Sequence, residues 1–279
     1  MNIQFGASLL SWITPVWTPE AGKYAIDKTA DAGFDLIEIL LPPSMDFNAV
    51  EVKKQLDQHG LNVVCSLNLP KEAHIAFYPE NAERLIKNAV DITAALESGL
   101  LGGVLHGSIG VFSGNPLTGQ EAVIITEVWS HVADYAREKG VDIAIEPINR
   151  YESYVCNTAQ NVLDLINATG RDNLFVHLDT FHMNIEENNF YEPIIMAGTR
   201  LKHIHMTESH RGMLGEGTVN WKELFSALKA IDFNGNLVLE NFSSSVPGMQ
   251  QMVSLWQQSP YAADELAAGS LEFMKSHCR

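Results

Sequence analysis

Eight short apolar runs, each followed by a longer stretch before the next, constrain this chain more than any other feature of its 279 residues. The runs are Ile3–Leu10, Leu36–Leu41, Asn62–Leu67, Gly103–His106, Asp142–Glu146, Leu174–Asp179, Leu201–His205 and Leu237–Glu240. Several are continuously apolar, as in Val141-Asp142-Ile143-Ala144-Ile145 and Asn236-Leu237-Val238-Leu239. Such runs suit strands covered on both faces, the condition inside a parallel sheet.

The intervening segments carry helical periodicity. Apolar positions recur every three or four residues from Pro19 to Gly33, Asn81 to Gly99, Ala122 to Lys139, Thr158 or Ala159 to Thr169, Asn220 to Ile231 and Tyr261 to His277. Gly140 and Gly170 stand just past two of these ends, where a left-handed residue terminates a helix. The sixth helix, Phe190–Ala197, is short and contains Pro193. Strand and helix alternating eight times predict an α/β fold, a closed (β/α)8 TIM barrel forming a single domain over residues 1–279. An open doubly wound sheet is the alternative, and no Pro/Ser-rich linker divides the chain.

Composition narrows the function classes. Eighteen Lys and Arg against 34 Asp and Glu give a formal net charge of −16, which argues against nucleic acid, because phosphate binding needs a dense cationic surface. The start of the sequence has no basic segment followed by an apolar one, and no apolar stretch reaches the length of a membrane span. Cys65, Cys156 and Cys278 are an odd number and widely spaced, which describes neither a disulfide framework nor a zinc ribbon. A cytoplasmic enzyme with no membrane partner is expected.

Runs five to eight each end in a side chain that binds divalent ions: Glu146, Asp179, His205 and Glu240. In a barrel the C-terminal strand ends converge on one face, which holds the active site. Any one of these carboxylates could instead cap the next helix or pair with an arginine. Three together repel one another unless a cation lies among them. Three carboxylates and one imidazole form a hard ligand set, favouring Mn²⁺, with Co²⁺ or Mg²⁺ as alternatives, over a tetrahedral zinc site. Glu152, His182 and Arg211 follow in the loops just beyond these strands.

At these residues the chain resembles the ketose 3-epimerases of the D-tagatose 3-epimerase and D-allulose (psicose) 3-epimerase type, within the xylose-isomerase-like barrel superfamily. The segments Glu146-Pro-Ile-Asn-Arg-Tyr-Glu152, Asp179-Thr-Phe-His182-Met-Asn-Ile-Glu-Glu187, His203-Ile-His205 with Arg211-Gly and Gly215-Glu216-Gly217, and Leu239-Glu240 are similar to that family's four ligand motifs. The resemblance is strong over Asp142–Phe242, whereas the first 140 residues match mainly in their strand–helix pattern. It implies that Glu146, Asp179, His205 and Glu240 hold the metal. It implies further that Glu146 and Glu240 act as acid and base on opposite faces of the sugar C3, and that Glu152, His182 and Arg211 bind the oxygens at C1 to C3. It also implies a free ketose as substrate and a homodimer or homotetramer.

Trp12, Pro15 and Trp17 after the first run, and His106 and Phe112 after the fourth, are candidates either for core packing or for a pocket wall around C4 to C6. Rival readings keep the barrel and metal but change the product: an aldose–ketose isomerase of the hydroxypyruvate isomerase kind, or a phosphosugar epimerase. The glycine runs Gly102-Gly103 and Gly107–Gly114 would have to cradle the phosphate, and no Lys or Arg cluster accompanies them. A metal-dependent apurinic-site endonuclease would need the cationic groove this chain lacks. A non-catalytic sugar-binding module would not exchange substrate hydrogen with solvent.

Overall fold

The computed structural model describes residues 1–278. Its elements in chain order are β1 (Asn2–Ser8), α1 (Pro19–Asp31), β2 (Leu36–Leu40), α2 (Ala49–His59), β3 (Asn62–Ser66), α3 (Pro79–Ala95), β4 (Leu100–Gly102), α4 (Gly119–Glu138) and β5 (Asp142–Ile145). The second half continues with α5 (Ala159–Thr169), β6 (Leu174–Asp179), α6 (Thr180–Glu186), α7 (Glu192–Ala197), β7 (Leu201–Met206), α8 (Trp221–Ala230), β8 (Asn234–Leu239), α9 (Met249–Met252) and α10 (Ala263–His277). All eight strands pair in parallel with their sequence neighbours, and β1 pairs with β8 from Asn2↔Asn234 to Ala7↔Leu239. The sheet therefore closes into a barrel with its helices outside, and no helix among the described residues is long and apolar enough to cross a membrane.

Local chemistry sets the helix boundaries. Thr118 and Glu121 form a reciprocal capping box on α4, and Thr158 and Asn161 do the same for α5. Helix α5 ends on Gly170 at φ +66°, a conformation that costs a glycine little. Two segments depart from the sequence reading. Strand β4 occupies Leu100–Gly102, not Gly103–His106, because the chain turns at Gly103, whose φ is +113°. Helices α2 and α6 fall where apolar periodicity assigns nothing: α2 buries only Val52 and Leu56, and α6 is seven residues long.

The barrel interior changes character along the strands. Outward residues such as Ile37, Ile39 and Ile143 pack beneath the helices in the main core. Inward, near the N-terminal ends, Leu36, Val64, Leu100, Ala144 and Val238 form a separate apolar plug with Phe175. Side chains alternate along a strand, so the next inward layer lies two residues further on. That layer holds Glu38, Ser66, Gly102, Glu146, His177 and Glu240, joined by His203 and His205 of β7, and its polar members are all buried. The plug is hydrocarbon; the layer above it is ionisable.

Candidate active site

Four strand ends bring the ligand candidates together. Glu146 and Glu240 lie one residue past β5 and β8, while Asp179 is the last residue of β6 and His205 the second-last of β7. All four are at most 9% exposed. Ligand atoms of Glu146, Asp179 and His205 fall within 4.8 Å of one another. His205 Nδ1 stands 3.5 Å from Glu146 Oε1 and 3.6 Å from Glu240 Oε2. That buried nitrogen has no hydrogen-bond partner among the described residues. An unpartnered imidazole nitrogen facing carboxylate oxygens is the arrangement a divalent cation would fill, and this hard donor set suits Mn²⁺, Mg²⁺ or Co²⁺.

The carboxylates titrate unequally. Burial pushes Glu146 up despite His205, and raises Glu240 to about 7 despite His205 and Arg211. Burial also acts on Asp179, but Arg211, His182 and His205 outweigh it and hold that carboxyl below its usual range. Burial alone would depress His205, yet the charges of Glu38, Glu240 and Glu146 drive it well up. Asp179 fulfils both structural alternatives open to a strand-end carboxylate. Its Oδ1 accepts from Phe181 N at 2.8 Å, starting α6, and its Oδ2 accepts from Arg211 Nη1 at 3.0 Å.

The three loop residues surround this cluster. Arg211 Nη1 also donates to Glu240 Oε2 at 2.6 Å, so a local cation does touch two of the three carboxylates. Its guanidinium lies 4.0 Å from the Phe181 ring centroid and 4.7 Å from that of Phe242. The Arg211 backbone is left-handed, at φ +61°. The fully buried Glu208 helps hold that loop, accepting from Ser209 N at 2.7 Å, Gly215 N at 3.2 Å and Trp221 Nε1 at 2.8 Å. His182 Nδ1 accepts from the backbone and side-chain nitrogens of Asn149 at 3.2 and 2.9 Å. This leaves its Nε2–H directed to Asp179 Oδ2, 3.6 Å away, and burial holds its pKa down to about 3. The other proton of the Asn149 amide goes to Glu152 Oε1, at 2.9 Å.

A cavity of about 930 Å³ opens above the cluster, and Glu146, Glu152, His182, Arg211 and Glu240 line it. Its outer wall includes Pro15, Ile109, Phe181 and Phe242, together with the segment Met252–Tyr261 between α9 and α10. None of Trp12, Trp17, His106 and Phe112 lines it. Trp12 Nε1 donates to Thr29 Oγ1 at 2.9 Å in the core, Trp17 packs on Phe47 with centroids 4.6 Å apart, and His106 Nε2 meets the Glu146 carbonyl at 3.0 Å. Sequence reasoning passed over Glu38, Glu208 and the Met252–Tyr261 segment. The signal for Glu38 was a charge inside an apolar strand, which a buried strand does not tolerate without partners.

The xylose isomerase-like TIM barrel family model matches residues 26–277. The chain is 34% identical to an L-ribulose 3-epimerase of Methylomonas sp. (strain DH-1), over 98% of this chain and 97% of that one. It is likewise 34% identical to a ketose 3-epimerase of Arthrobacter globiformis, over 93% of both. The crystal structure of a D-allulose 3-epimerase from Methylomonas sp. in complex with D-allulose superimposes with a TM-score of 0.92 at 34% identity, covering 99% of this chain and 97% of that one. A closed eight-stranded barrel and near full-length relatives of one kind agree: the chain belongs to the xylose isomerase-like TIM barrel family and, within it, to the ketose 3-epimerases.

Proposed function

We propose that this protein epimerises unphosphorylated ketoses at C3 with a divalent cation, most favourably Mn²⁺, held by Glu146, Asp179, His205 and Glu240. The carrying observation is that Glu146 Oε1 and Glu240 Oε2 both approach His205 Nδ1, at 3.5 and 3.6 Å, and both line one cavity of about 930 Å³. The relatives support it, being named for L-ribulose, for ketoses and for D-allulose. A free sugar is favoured because, among the described residues, Arg211 is the only Lys or Arg lining the cavity, and it already faces two carboxylates.

Glu146, Asp179, His205 and Glu240 would hold the cation, which would supply Lewis-acid polarisation of the sugar and so make the C3 hydrogen more acidic. The chain's own groups do the rest. Burial raises both Glu146 and Glu240 in the metal-free site, and inversion needs one of the pair as the base and the other as the acid. The ionised member removes the C3 proton, leaving an enediolate across C2 and C3, and the protonated member returns a proton to the opposite face. His182 Nε2–H and the Arg211 guanidinium donate to the sugar oxygens at C1 to C3, Glu152 accepts from a hydroxyl there, and the Met252–Tyr261 segment covers the distal carbons.

Turnover of L-ribulose, D-allulose and D-tagatose in D₂O tests this. Deuterium at C3 of the product is expected, whereas an aldose–ketose isomerase would label C1 or C2. Product without label at C3 refutes the two-base scheme, and full activity in chelator-stripped protein refutes the metal.

A further inference from the structure

One buried acidic side chain of the barrel interior belongs to none of the strands that carry the ligand candidates. Glu38 sits mid-strand in β2, 2% exposed, one layer above the apolar plug. Its Oε2 faces Nε2 of His203 at 2.7 Å and Nε2 of His205 at 2.8 Å. A carboxylate oxygen shared between two ring nitrogens at these distances accepts a hydrogen from each, so both Nε2–H groups are directed to Glu38. With Nε2–H committed, the ligand atom His205 has left is Nδ1, the nitrogen 3.5 Å from Glu146 and 3.6 Å from Glu240.

Ring packing closes the remaining freedom. His177 meets His203 and His205 edge to face, with centroids 4.4 and 4.2 Å apart and interplanar angles of 83° and 90°. Gly102 leaves the space for it, since a Cβ there would lie 3.3 Å from His177 Nδ1. The plug below shows that hydrocarbon fills this barrel readily. A buried charge at Glu38 is therefore a poor choice for stability alone, because replacing buried ion pairs by apolar groups is often neutral or stabilising.

We propose that Glu38 is a positioning residue: it fixes the ring plane and the Nε2–H tautomer of His205, so that Nδ1 is presented to the divalent cation shared with Glu146, Asp179 and Glu240. This rests on the metal site proposed above. A carboxylate behind a ligating imidazole also makes that imidazole a stronger donor, and loss of such partners weakens metal binding about 10- to 100-fold. His203 anchors the same carboxylate and is not one of the four ligand candidates.

The test is Mn²⁺ titration of metal-stripped wild type, Glu38→Gln, Glu38→Ala and His203→Gln, with Tm measured alongside. Glu38→Ala is expected to bind Mn²⁺ about 10- to 100-fold more weakly, and Glu38→Gln, which keeps an acceptor of the same shape but no charge, to fall between it and wild type. His203→Gln keeps Glu38 on His205 and should stay within about threefold of wild type whatever its Tm. If Glu38→Ala does not fold, the near-isosteric Glu38→Gln carries the comparison. In ¹⁵N-histidine-labelled, Mg²⁺-loaded protein, His205 should carry hydrogen on Nε2 alone. Mn²⁺ binding by Glu38→Gln as tight as wild type, an Nδ1–H tautomer in the loaded wild type, or equal losses in His203→Gln and Glu38→Gln would each overturn the positioning role. Failure of wild type itself to bind Mn²⁺ would instead overturn the metal site, and the proposal with it.

Discussion

Arg211 Nη1 lies 2.6 Å from Glu240 Oε2, closer than any other cation lies to a carboxylate in the cavity floor. The contact gives one side chain two roles that a single variant separates. In Arg211→Ala the sugar loses a charged hydrogen-bond donor of about 1.5–3 kcal/mol, so kcat/KM should fall about 10- to 100-fold while Mn²⁺ content is retained. The metal-free variant should also be less stable than metal-free wild type, because Asp179 and Glu240 lose their neighbouring cation. Its gain in Tm on adding Mn²⁺ should therefore exceed that of wild type. Loss of bound Mn²⁺ from the variant would show that Arg211 supports the ligands and not the sugar.

Glu240 gives a pH signature. Its folded pKa, raised to about 7 chiefly by burial, lies above the unfolded value of about 4.3. Between those values the folded state holds the extra proton, so this group's contribution to stability falls as pH rises through the window and is constant above it. Metal-free Glu240→Gln should therefore gain stability relative to wild type from pH 5 to 7 and then level off. The same variant should lose C3 inversion while still exchanging the C3 hydrogen on the face served by Glu146. A flat stability difference, or inversion at near-normal rate, would count against the assignment.

Three buried imidazoles, those of His106, His177 and His182, act in the opposite sense. Burial depresses His106 and His182 to about 3 and holds His177 well below its usual value. Unfolded histidine binds its proton near pH 6.5. Between about pH 3 and 6.5 the unfolded chain thus binds more protons, and stability contributed by these groups rises with pH and is lost on acidification. Each such proton contributes a slope of about 1.4 kcal/mol per pH unit. His106→Gln should remove about one proton's worth of that slope from urea midpoints measured between pH 4 and 6. An unchanged slope would mean that His106 titrates normally.

The turn after β4 is a backbone constraint. Gly103 adopts φ +113°, and a Cβ there would lie 2.4 Å from the Leu67 carbonyl oxygen. Gly103→Ala should destabilise the protein by about 3 kcal/mol or more, from strain and from backbone displacement between β3 and β4. A Tm within a degree of wild type would show that the neighbouring strands yield.

The barrel was legible because its strands are continuously apolar and recur. The ligand candidates were legible because each stands at the end of such a run, where chemistry and topology coincide. Strand β4 was misplaced because Gly99-Leu100-Leu101-Gly102-Gly103 is short and framed by glycines, so its apolar content is too small to mark it. Helix α2 escaped because Val50 is 81% exposed and only two of its apolar residues face inward, leaving Asn48 and Gly60 at its ends as the only signals. Glu186 and Glu187 show the reverse case, an acidic pair inside a ligand motif that serves structure. Glu186 holds Arg150 at 2.8 Å, and Glu187 accepts from Ala159 N at the start of α5, also at 2.8 Å. Glu38 was hidden because nothing local to Leu36-Ile37-Glu38-Ile39-Leu40 reveals a partner 165 residues away.

That separation bears on how the protein matures. Every ligand candidate is on or one residue past β5 to β8, yet the carboxylate that faces His205 Nε2 is on β2. A fragment holding only the second half would carry all four ligand candidates and still leave His205 free to turn. During synthesis the cation would find no well-formed site until β7 and β8 had joined the strands made first. If the proposed site holds, tight Mn²⁺ binding would report that the two halves of the barrel have met, and ion uptake would be the last event of assembly rather than its nucleus.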